Sequence, residues 1–69
     1  MTKKELREAI GKRLLELRHE KNLTQAEAAK RIRVHASQLS EMEHGKRGIS
    51  IVVLMNAERE LGKIWRSWE

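Results

Sequence analysis

Sixty-nine residues allow one compact domain that buries only about 60% of its unfolded surface, so we expect a marginal monomer that a dimer would relieve. The absence of cysteine excludes a disulfide framework and a thiolate zinc site, and fits the reducing cytoplasm of a bacterium, with the chain either bacterial or phage-encoded. A net charge of +5 points to a polyanionic partner, and the charges spread through the first helix-length of chain exclude an apolar signal peptide or membrane span there.

With no proline and no Gly/Ser-rich stretch, nothing marks a linker, and residues 1–69 are expected to form a single domain of consecutive helices. Thr2 followed by Glu5 forms a capping box, and Leu6, Ile10, Leu14 and Leu17 follow at helical spacing. They predict a first helix from about Lys3 to Lys21, stopped by Asn22. Thr24 and Glu27 repeat the capping box, and Ala28, Ala29 and Ile32 give a second short helix a narrow inward face whose small side chains admit a close neighbour. After Arg33 and Val34, a third helix should run from about Ala36 to His44, burying Leu39 and Met42 before Gly45 ends it. Ser50 can cap a fourth helix that carries Ile51, Leu54, Ala57 and Leu61 inward and reaches Gly62. No strand pattern competes, so the expected fold is all-α, a compact bundle of four to five helices.

Beyond Gly62 an apolar stripe continues through Ile64, Trp65 and Trp68. Two readings stand: the tryptophans close the core of one copy from a short fifth helix, or they meet a second copy. Val52, Val53 and Met55 add more apolar surface than one buried helix face needs, and with Trp65 and Trp68 they are the candidates for a homodimer interface.

The segment from Thr24 to Arg47, TQAEAAKRIRVHASQLSEMEHGKR, reads as two short helices joined by a turn too brief to be a linker. That is the arrangement of a helix-turn-helix reader of double-stranded DNA. If Leu39 and Met42 face the core, Ser37 and Glu41 point away from it, with Gln38, Ser40 and His44 on the flanks. Ala36 can set its methyl against a thymine methyl, Ser37 can donate or accept at base edges, Gln38 suits adenine, and Glu41 can accept from a cytosine amino group. These four are the base-contact candidates, weighed against a merely solvated helix face. Gln25 lies in the first turn of the second helix, where free N–H groups favour a phosphate. Lys46 and Arg47 follow the third helix and would neutralise phosphates without carrying sequence information, and His44 is a further polar or phosphate-facing residue.

Catalysis finds no support. His19, His35 and His44 lack the spacing of a helical metal pair, no glycine loop cradles a phosphate, and no nucleophile has a base beside it. We expect a non-enzyme with no metal and no cofactor.

From Ile10 to about Leu61 the chain resembles the Cro and repressor type of helix-turn-helix domain, the xenobiotic-response-element family. The resemblance is carried by IGKRLLELR, LTQAEAAKRI and QLSEMEHGKR in that order and spacing. It implies a lambda-repressor-like bundle whose third helix enters the major groove, a phosphate contact at Gln25, and a structural ion pair between Arg18 and Glu43. The chain departs from the family where Gly is usual and Arg33 stands, and where Ser or Thr is usual and His35 stands. The family's turn residue is left-handed, so the resemblance implies either a strained Arg33 or a reshaped turn. The expected function is that of a sequence-specific transcription regulator, a homodimeric repressor. The alternative is an antitoxin with a toxin partner, or an accessory protein-contact module on the same fold.

Overall fold

The computed structural model describes residues 1–64. They form four helices and, among the described residues, no strand: α1 (Lys3–Glu20), α2 (Gln25–Ile32), α3 (Ala36–Glu43) and α4 (Ile51–Glu60). Three of the four begin at a hydroxyl that accepts an otherwise unpaired backbone N–H. Thr2 and Thr24 each accept from the N–H three residues on, both at 3.1 Å. The Glu5 and Glu27 carboxylates reach back to the Thr2 and Thr24 N–H groups at 3.0 and 2.8 Å. Those backbone bonds, followed by the threonine side chains, hold both carboxyls below the ordinary glutamate range. Ser50 Oγ accepts from the Val53 N–H at 3.3 Å. At α3 the N-cap is His35, and Gln38 Oε1 accepts from its N–H at 2.9 Å.

The first three helices end alike. Asn22, Arg33 and Gly45 adopt left-handed conformations, with φ of 55, 64 and 72°. The next N–H in each case, from Leu23, Val34 and Lys46, returns to the carbonyl of Arg18, Ala29 and Glu41 at 3.0, 3.0 and 2.9 Å. This is the six-to-one bond of a Schellman end. Arg33 therefore occupies the left-handed turn position itself, and the turn is not reshaped around it.

The core gathers Leu14 and Leu17 of α1, Ala28, Ala29 and Ile32 of α2, Leu39 and Met42 of α3, Ala57 of α4, and Leu61 and Ile64 beyond it. The small faces of Ala28 and Ala29 are fully buried, as α2 packs on both α3 and α4. At the crossing of α1 and α3 the backbones approach so closely that a Cβ on Gly11 would collide with the Met42 carbonyl oxygen.

Three apolar placements differ from the sequence expectation. Ile51 is 68% exposed and points outward, because a helix that turns Ala57 and Leu61 to the core brings Val53 and Leu54 inward one turn earlier and leaves Ile51 about a third of a turn off that face. Val53, expected in a dimer interface, instead packs against the core for the same reason. Leu6 is also exposed, lining a shallow groove with Ile10, Ile49 and the Lys3 and Arg7 side chains. No helix among the described residues is long and apolar enough to cross a membrane. Trp65, Trp68 and the fifth helix they suggested lie outside the described residues.

Candidate nucleic-acid interface

The α2–turn–α3 unit presents one open face. Burial of Leu39 and Met42 fixes the rotation of α3, and the helical period then places Ala36, Ser37 and Glu41 in solvent. Gln38 and Ser40 are half-buried on the flanks. The Gln38 oxygen is held by the His35 N–H, so what it offers a base is its amide N–H₂. Past Gly45, Lys46 and Arg47 are exposed beside the end of α3.

The face is braced from behind by an ion pair. Arg18 Nε and a terminal nitrogen of the same guanidinium donate to the two Glu43 carboxylate oxygens at 2.7 and 3.1 Å, and the remaining nitrogen donates to the Leu23 carbonyl at 3.1 Å. The Arg18 side chain is 12% exposed and that of Glu43 2%. With both oxygens and all three guanidinium nitrogens engaged, the pair's desolvation is offset by hydrogen bonds, and no buried polar side-chain atom among the described residues lacks a partner. The expected structural pair is thus present. It ties the end of α1 to the last turn of α3, which sets how far the outward face stands from the body of the molecule.

Gln25 belongs to the same cluster, which the sequence did not reveal. Its Nε2 donates to Glu43 Oε1 at 2.9 Å. The signal needed was tertiary, since Gln25 and Glu43 stand on different helices, and only the observed packing of α2 on α3 brings them together. The bond leaves one amide hydrogen and the amide oxygen of Gln25 uncommitted and orients the side chain at the α2 N-terminus.

Two further candidates have intramolecular partners. The His44 ring meets the Ser40 carbonyl at 2.7 Å through Nδ1, which must carry the proton because a carbonyl only accepts. A phosphate contact through Nε2 then requires the doubly protonated ring. Arg47 Nε donates to Glu41 Oε1 at 3.1 Å, so a residue assigned to phosphates and one assigned to bases neutralise each other in the free protein. Lys46 has no such partner among the described residues, leaving its ammonium open to an anion. No group of three His, Asp or Glu among the described residues is placed to hold a metal ion.

Comparison with known proteins gives two findings. A helix-turn-helix family model matches residues 12–63. Two crystal structures of the clp gene regulator ClgR from Corynebacterium glutamicum are each 38% identical to the chain, with a TM-score of 0.77 over 81% of it. The match spans 60% of one ClgR chain and 72% of the other. No protein of curated function matches the chain.

Proposed function

The chain belongs to the helix-turn-helix family of Cro and repressor type, a family of DNA-binding transcription regulators, and from that premise we propose that it is a homodimeric repressor reading a specific duplex sequence in a bacterial cytoplasm. The observation that carries the reading is the exposed face of α3, held in one orientation by the Arg18–Glu43 clamp and flanked by Lys46. Ala36, Ser37, Gln38 and Glu41 meet base edges in the major groove. Gln25, Lys46 and Arg47, with His44 in its protonated form, meet phosphates. The protein is a binder and not an enzyme.

Assembly rests on α4. Ile51, Val52 and Met55 are 68%, 63% and 62% exposed, and their spacing sets them on one side of the helix, an apolar patch on a chain too small to leave it in water at no cost. A second copy covers it, and two α3 helices then reach half-sites about 34 Å apart on one face of the duplex. Sedimentation over a range of concentrations checks this, and a strictly monomeric species binding DNA as a single unit would count against it.

The second reading, an antitoxin or accessory module acting by protein contact, is favoured by the charge of α3, whose ionisable side chains are the two carboxylates of Glu41 and Glu43. Selection of bound oligonucleotides from a random pool separates the two. A single enriched motif with salt-sensitive binding supports the repressor, and a pool that stays random supports the protein-contact module.

A further inference from the structure

Glu41 and Arg47 are held together by the backbone as well as by their charges. Gly45 reverses the chain at the end of α3 with a φ of 72°, and the Lys46 N–H returns to the Glu41 carbonyl at 2.9 Å. Arg47 is thereby delivered to the outer side of α3, where its Nε reaches Glu41 Oε1. Both side chains are about half exposed, so the pair is readily broken. Glu43 is buried against Arg18, which leaves Glu41 the one carboxylate that α3 turns to solvent.

We propose that the Glu41–Arg47 pair is a specificity filter that withholds Arg47 from phosphates until Glu41 finds a cytosine. On a non-cognate duplex the Arg47 Nε–H is held by Glu41, so a two-pronged phosphate contact through Nε and a terminal nitrogen requires Arg47 to leave Glu41, which strands an unpaired carboxylate against the polyanion. Arg47 stays paired, and that two-pronged contact is lost to the complex. Where a cytosine stands opposite, its 4-amino group donates to Glu41, the carboxylate keeps a partner, and the guanidinium passes to a neighbouring phosphate. Base recognition is thus converted into an added phosphate contact and one more released counterion. The inference rests on the reading that Glu41 faces base edges.

The test measures the affinity of the full chain for a selected duplex and for a random-sequence duplex across salt concentrations, in the wild type, Glu41→Ala, Arg47→Ala and the double variant. Both side chains are exposed, and unchanged circular dichroism verifies that the variants fold. Glu41→Ala should tighten binding to the random duplex about two- to fivefold per subunit, the worth of an exposed ion pair. It should also steepen the logarithmic salt slope by about 0.9 per subunit. Both gains should vanish when Arg47 is already Ala. The wild type should itself show the steeper slope on the selected duplex.

A gain of equal size in both backgrounds would mean that Glu41 merely repels DNA, and an unchanged random-duplex affinity would mean that the pair withholds nothing. Either result overturns the filter even if the selected motif shifts. Failure of the underlying reading looks different: the motif selected by Glu41→Ala would keep the wild-type cytosine, removing Glu41 from the bases and the release step with it.

Discussion

The ends of α2 and α3 share one backbone design and differ in everything around it. Each turns on a left-handed residue and returns an N–H five residues back, yet the turn residue is Arg33 in one and Gly45 in the other. Arg33 is exposed to solvent, and next to it the Asn56 amide donates to the Ile32 carbonyl at 3.4 Å. At the α3 end α1 passes directly over the turn, where a Cβ on Gly45 would sit 2.7 Å from Glu8 Cγ and 3.1 Å from Glu8 Cα. One turn earlier Glu43 is locked to Arg18 and Gln25. A left-handed φ alone therefore does not demand glycine here; a helix crossing the turn does.

The largest effect should come from unlocking the α3 end. Glu43→Ala leaves the Arg18 guanidinium, with a side chain only 12% exposed, facing a cavity in place of a carboxylate, and removes the partner of Gln25. Loss of one member of a buried pair costs about 3 to 5 kcal/mol, comparable to the whole stability of a domain of this size. Denaturant unfolding should show it, and DNA binding should fall with it because the outward face loses its brace. Arg33→Ala at the α2 end should stay within about 0.5 kcal/mol of the wild type, since the left-handed cost is already present and no contact is lost.

Next in size is Gly45→Ala. The left-handed conformation and the crowding against α1 together should cost about 2 to 4 kcal/mol. The two contributions separate in a Glu8→Ala background. Removing Glu8 Cγ relieves the closest contact but not the approach to Glu8 Cα, so part of the loss should return and part should remain. Full additivity of the two changes would show that Glu8 Cγ adds nothing to the crowding at this turn.

These contrasts explain what the sequence could and could not disclose. Helix starts were legible because each signal is local: Thr2 with Glu5, Thr24 with Glu27, and Ser50 before its apolar run all lie within four residues of the group they satisfy. The outward set Ala36, Ser37 and Glu41 was legible because Leu39 and Met42 fix the rotation of a short helix. What escaped depends on how helices stack. Ile51 and Val53 exchange their expected orientations because the contact with α2, not the run of apolar residues, decides which face of α4 is buried. The Gln25 bond to Glu43 spans two helices, and the requirement for Gly11 arises only where α1 meets the Met42 backbone. A glycine inside a helical pattern was the available hint of such a close approach.

The smallest effect, and the one of opposite sign, belongs to Arg33→Gly. Arg33 stands at φ 64° and ψ 45°, where a Cβ costs roughly 1 to 2 kcal/mol and glycine costs nothing. Glycine also gives the unfolded chain more freedom, which offsets about 0.4 to 1 kcal/mol of the relief. The Arg33 side chain is exposed and shares no ion pair with a described residue, so its removal subtracts little. The net expectation is a stabilisation of up to about 1.5 kcal/mol, visible as a raised melting temperature with DNA affinity intact. A raised melting temperature with weakened affinity for every sequence would assign Arg33 a phosphate contact, and show that the chain keeps a strained turn in exchange for a charge at the duplex. A clear loss of stability would mean that the Arg33 side chain contributes more than its exposure suggests, and the contrast between a free α2 end and a locked α3 end would fail at its simpler member.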